Sequence, residues 1–128
     1  MTTDPLTDAI ILDPSEAAPE AARAFLSDRF WEWGVEDDFD GRLIVSELVT
    51  NSFLHGAGAI VVRVFRDECS GLPVIEVWDE SEEKPVLCPA NYVSTSGRGM
   101  RMVDALAADW GVRPLAGGGK AVWAILAT

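Results

Sequence analysis

Three side chains able to do chemistry stand four residues apart in one run, Glu47-Leu48-Val49-Thr50-Asn51-Ser52-Phe53-Leu54-His55. A helical residue turns by about 100°, so positions four apart lie nearly in line. A carboxylate, an amide and an imidazole therefore share one stripe. Leu43 and Leu54 flank it on one side, Ile44 and Leu48 on the other, which places the stripe in the middle of an apolar arc. Leaving such groups buried and unpaired costs about 1–3 kcal/mol each, so a metal, a ligand or water must offset the burial. The structural alternative is a slightly rotated helix whose polar stripe lies at the edge of the fold.

Two further features carry chemistry. In Pro73–Asp79 (PVIEVWD) the two-residue period sends Ile75, Val77 and Asp79 to one face, and Val74, Glu76 and Trp78 to the other. A carboxylate ending a strand on an aliphatic face can accept a hydrogen bond from a buried donor such as an exocyclic amine. Ser96-Gly97-Arg98-Gly99-Met100 then places two glycines ahead of a helix, where close backbone approach and free N–H groups suit a phosphate. A plain turn explains that segment about as well. It is neither a P-loop nor a dinucleotide fingerprint, for it lacks the lysine motif of the one and the third glycine of the other.

The elements that must position these residues follow from periodicity and punctuation. A short apolar run at Ala9–Leu12 reads as an edge strand within an otherwise polar start over 1–14. Ser15 is a good N-cap for a helix running to Trp33 and stopped by Gly34, with Ala22, Phe25, Leu26, Phe30 and Trp33 as its buried stripe. A second helix spans Phe39 to His55 and is closed by Gly56 and Gly58. Ala59–Phe65 and Pro73–Asp79 form a hairpin, Glu80–Ser96 a loop, and Gly97–Ala108 a third helix. Asp109–Leu115 and Lys120–Ala127 close the chain as a second hairpin. This order predicts one α+β domain over residues 1–128, a two-layer sandwich in which about three helices cover a mostly antiparallel mixed sheet.

Composition bounds the function. The 128 residues carry 10 basic and 21 acidic side chains, a net charge of −11. Such a surface repels a polyanion, so nucleic acid is not expected as a direct partner, whereas a basic protein partner is compatible with it. Cys69 and Cys88 form no CxxC pair, which suggests a reducing cytoplasm. No run of about 18 apolar residues is present, and no membrane partner is expected. With His55 as the sole histidine, multi-histidine metal sites are excluded.

In their order, ExxxNxxxH on a helix, Asp at a strand end and GxG opening a helix resemble the Bergerat-type, histidine kinase-like ATP-binding fold. The chain is most similar to the small stand-alone anti-sigma factor serine/threonine kinases of bacterial partner switching. ELVTNSFLH resembles their N-box, VWDES their shortened first glycine box, and SGRGMRMV their second; the ending DWGVRPLAGGGKAVWAIL is also similar. The resemblance covers about residues 15–127.

It implies ATP and Mg²⁺ as cofactors. Asn51 would hold Mg²⁺ through its amide oxygen, and Glu47 would act as general base. Asp79 would read the adenine amine, with Ser81 in the same box. Gly97, Arg98, Gly99 and Met100 would line the phosphates, and His55 would border the ribose-phosphate region or simply pack. The implied partners are a sigma factor-like client and an antagonist protein phosphorylated on serine, and a homodimer is compatible with the family. Two departures stand out. The run after Asp79 is Glu80-Ser81-Glu82-Glu83-Lys84-Pro85 without a glycine, and Lys120-Ala121 follows Gly119 where the family often carries a hydroxyl. The altered run after Asp79 favours a second reading, a non-catalytic module that controls a protein partner by binding alone. A third reading is an unrelated α+β domain whose polar stripe is structural.

Overall fold

The computed structural model describes residues 8–81 and 95–127, with the backbone alone at 95–99. Five strands and three helices follow in the order β1 (Ala9–Leu12), α1 (Ala18–Glu32), α2 (Phe39–His55), β2 (Ile60–Arg66), β3 (Pro73–Asp79), α3 (Thr95–Leu106), β4 (Asp109–Pro114) and β5 (Lys120–Ile125). The strands form one sheet in the order β1-β2-β3-β5-β4. Every pairing is antiparallel, so among the described residues the sheet is not mixed. β1 is indeed an edge strand. The rest of the expected start, over 1–7, lies outside the described residues, as does most of the loop expected over 80–96.

The α+β sandwich follows from which side chains alternate inward. Leu12, Ile60, Val62, Val64, Ile75, Val77, Val122 and Ala124 project from the sheet into one buried cluster with the helices. Helix α1 contributes Ala18, Ala22, Leu26 and Phe30, spaced by four, and Phe25 and Trp33 pack against that cluster half-buried. Full burial of a side chain such as Leu26 or Phe30 contributes about 1.5–3 kcal/mol. Trp31 points outward and is exposed. Arg29 locks α1 to the sheet edge, for its guanidinium donates to the Asp8 carboxylate at 2.8 Å and to the Val64 carbonyl at 3.2 Å.

Helix α1 starts two residues later than a Ser15 cap predicts. The Ser15 carbonyl accepts from Ala18 N–H at 3.1 Å and its hydroxyl from Ala17 N–H at 3.3 Å, so Ser15 closes a turn before the helix. Pro19 then falls in the first turn, where its missing N–H costs nothing. Helix α2 spans the expected residues and ends at Gly56.

On the sheet face away from the core cluster, Glu76 is buried within a charged network. Arg63 reaches it at 3.2 Å from the directly paired β2 position, and Arg113 at 3.1 Å from β4. The Trp78 indole N–H donates to the same carboxylate at 2.9 Å. Burial alone pushes this carboxyl up. Hydrogen bonds from Arg113 and Trp78, with the charges of Arg113 and Arg63, outweigh burial and hold it below its ordinary 4.5. A carboxylate with a depressed folded pKa adds stability above the ordinary value and loses it as pH falls through the depressed one. Thermal melts of wild type and Glu76→Gln between pH 7 and pH 3 should therefore begin to approach each other as pH falls below the ordinary 4.5 and should meet only below the depressed value. Above it, the wild type should melt higher. A constant difference across the range would contradict the network.

Candidate functional site

Helix α2 and the end of β3 meet through a buried contact. Ser52 lies on the inward face of α2 with Ile44, Val45, Leu48 and Val49, and its hydroxyl donates to Asp79 Oδ2 at 2.7 Å. Lys120 pairs with Asp79 in register across β3 and β5, so both side chains leave the same face of the sheet. The lysine ammonium donates to Oδ1 at 2.9 Å and to Oδ2 at 3.1 Å. Ser81 N–H donates to Oδ1 at 2.9 Å and closes a turn at the end of the strand. The predicted residues Asp79 and Ser81 are thus brought together, joined by Ser52 and Lys120.

Both unforeseen residues had signals in the sequence. Ser52 continues the Ile44–Leu48 row by another step of four, which puts a hydroxyl on an apolar line. Lys120 alternates with Val122 and Ala124, so a cation shares an inward face with aliphatic side chains and needs an anion beside it.

The backbone around Asp79 is tightly fitted. A side chain at Gly56 would bring a Cβ within 2.5 Å of Asp79 Oδ2 and of the Ser52 carbonyl. Gly119 has φ +91°, and a Cβ there would collide with the Asp79 carbonyl oxygen. Gly119→Ala combines left-handed backbone strain with that collision, and a loss of about 2–4 kcal/mol in urea melts is expected. A loss below about 0.5 kcal/mol, the size of an ordinary surface change, would show that the turn gives way easily.

The stripe of Glu47, Asn51 and His55 lies elsewhere than the middle of the apolar arc. The buried line of α2 is centred on Ile44, Val45, Leu48, Val49 and Ser52, while Leu54 is exposed and Leu43 half-buried. The stripe therefore sits on a shoulder of α2, roughly a quarter turn from the core direction. Helix α1 takes the other shoulder, where Arg23 donates to Ser46 Oγ at 2.7 Å. Glu47 and Asn51 are half-buried and His55 is exposed. The physical reason is the run of small and branched residues at Gly41, Val45 and Val49, which packs more closely than Leu43 and Leu54 and rotates the helix.

Asn51 is the orphan of the site. Its Nδ2 is buried and has no hydrogen-bond partner among the described residues. An amide so placed loses about 1–3 kcal/mol unless something else completes it. A ligand that enters beside α2 can supply the missing partner. Among the described residues no three His, Cys, Asp or Glu side chains gather to hold a resident metal. Mg²⁺ is different, because it keeps several waters and takes one or two protein groups plus substrate phosphates. One amide oxygen can be such a group, whereas the orphaned Nδ2 is a donor that no cation satisfies and that calls for an acceptor such as a phosphate oxygen.

Helix α3 packs against α2 and begins at Thr95, two residues before the predicted start. Gly97, Arg98, Gly99 and Met100 thus lie in its first two turns, and the N–H groups of Thr95, Ser96 and Gly97 belong to the first turn, which has no intrahelical acceptor for them. Met100 and Val103 bury their side chains in the core. The Arg98 side chain lies outside the described residues. No helix of the described residues is long and apolar enough to cross a membrane.

No family model and no curated protein matches the chain. Among solved structures it is similar to the histidine kinase domain from the Erythrobacter litoralis blue-light activated histidine kinase, at 26% sequence identity and a TM-score of 0.46. The match covers 68% of this chain and 42% of that one, so the chain spans less than half the length of that structure.

Proposed function

We propose that the protein is a regulatory MgATP-binding protein of the anti-sigma factor kinase type, built on the histidine kinase-like ATP-binding fold. It holds a sigma factor-like client and transfers the γ-phosphoryl of ATP to a serine of an antagonist protein. The observation that carries this reading is the orphaned Nδ2 of Asn51, a buried donor that a phosphate oxygen would satisfy while the amide oxygen takes the metal, one helical turn after Glu47 and beside the residue whose hydroxyl reaches Asp79. The sequence order of the three motifs and the antiparallel sandwich support the same reading.

Each residue has a part that its own chemistry allows. Asn51 takes the metal that accompanies the nucleotide. Glu47, a turn earlier on the same shoulder, accepts the proton of the attacking serine hydroxyl. The N–H groups at the start of α3 face anionic oxygens. Bound Mg²⁺ supplies neutralisation of the phosphate charge. The net charge of −11 suits a basic client through electrostatic steering.

A second reading, control of a partner by binding without catalysis, is favoured by one observation. The Asp79 carboxylate is already held by Lys120. Labelled phosphate transferred from ATP to serine on a candidate antagonist supports the kinase. Capture of a sigma factor without any transfer, across the antagonists tried, supports the binding module instead.

A further inference from the structure

We infer that Lys120, and not Asp79 directly, reads the base of a bound purine nucleotide, with Nζ donating to a ring nitrogen of the purine. This deepens the nucleotide-site reading above and rests on it.

A carboxylate offers about four lone-pair positions. At Asp79 all of them are taken. Oδ1 accepts from Lys120 Nζ at 2.9 Å and from Ser81 N–H at 2.9 Å. Oδ2 accepts from Ser52 Oγ at 2.7 Å and from Lys120 Nζ at 3.1 Å. The backbone of Gly56 closes on the same Oδ2, leaving no room for even a Cβ. An exocyclic amine approaching this carboxylate finds no acceptor unless it breaks a charge-assisted bond already made.

The ammonium has the opposite balance. It carries three N–H donors and no acceptor, and two of them serve Asp79. The third has no partner among the described residues. The Asp79 side chain is 1% exposed and that of Lys120 is 9% exposed, so the lysine lies on the more open side of the pair. A base entering here therefore meets a donor first. Adenine presents an acceptor at N1 beside the donor amine at C6, and only N1 matches an ammonium. Asp79 then acts as a positioning residue, holding Nζ in place together with Ser52 and Ser81.

Calorimetric titration of the wild-type protein in Mg²⁺ with three nucleotides separates the two modes of reading. ATP carries both groups, 1-deaza-ATP keeps the amine and loses N1, and purine riboside triphosphate keeps N1 and loses the amine. The expected result is binding of 1-deaza-ATP at least about tenfold weaker than ATP, since a hydrogen bond from a charged donor is lost. Purine riboside triphosphate should bind within about threefold of ATP, because the amine makes no bond of its own. Lys120→Met should erase the preference for ATP over 1-deaza-ATP. The reverse order in the wild type would mean that Asp79 takes the amine and Lys120 moves aside, which overturns the assignment. Equal affinity for all three would make the ion pair purely structural and overturn it too. Absence of binding by any of them overturns the nucleotide site itself, and this assignment with it.

Discussion

Asp79→Ala is expected to lower the unfolding free energy by about 3–5 kcal/mol, the cost of removing one partner from a buried ion pair. The variant strands the Lys120 ammonium, which points into the sheet face shared with Val122 and Ala124. It also leaves the Ser52 hydroxyl and the Ser81 N–H without their acceptor. Three donors thus lose one carboxylate at once. The pair itself adds much less than this figure, because desolvation of both ions opposes their attraction. The double substitution Asp79→Leu with Lys120→Met should accordingly recover most of the loss. Urea unfolding of the two single variants and the double variant measures the coupling between the sites. A single-variant loss under about 1 kcal/mol, typical of an exposed pair, would show that water reaches the lysine.

Glu47→Gln is expected to slow phosphoryl transfer to serine by about 10²–10⁴-fold, the usual contribution of a positioned general base. Glutamine keeps the size and polarity of the side chain and removes its charge, and with it the ability to take the hydroxyl proton. Glu47 is half-buried on the shoulder of α2, outside the line that packs the core, so the fold should tolerate the change. ATP affinity should stay within about threefold, since the lost interaction belongs to the transition state alone. Single-turnover transfer from labelled ATP, with calorimetry on the same samples, separates the two quantities. Undiminished transfer would remove Glu47 from the chemistry. An equal loss of rate and of binding would assign it to the nucleotide instead.

The elements most legible in the sequence are those with sharp punctuation. Helix α2 lies between Asp38 and Gly56, and β3 between Gly71 and the turn at Ser81; both span the predicted residues. The start of α1 is harder to read, because Ser15 is a good cap by type and its turn toward Ala18 depends on local geometry. The rotation of α2 is harder still. Helical spacing ranks Leu43 and Leu54 with Ile44 and Leu48, and only packing against α1 and the sheet chooses the Ile44–Val45–Leu48–Val49 line. Asp79 was legible as an inward carboxylate, but Lys120 is 41 residues away and meets it only through the β3–β5 register. That register joins strands separated by α3 and β4, and no local signal encodes it.

The central claim is that Asn51 gives its buried Nδ2 donor to a phosphate oxygen of a bound nucleotide while its amide oxygen takes the accompanying metal. Calorimetric titration with ATP, with and without Mg²⁺, on wild type and Asn51→Ala tests it most directly. Wild-type binding should weaken at least about tenfold when Mg²⁺ is withheld, and Asn51→Ala should bind no better with the metal than without it. Its melting temperature should change little or rise, because an orphaned amide is removed. ATP binding indifferent to both Mg²⁺ and the substitution, or a large fall in melting temperature without any nucleotide effect, would contradict the account and return Asn51 to a structural role.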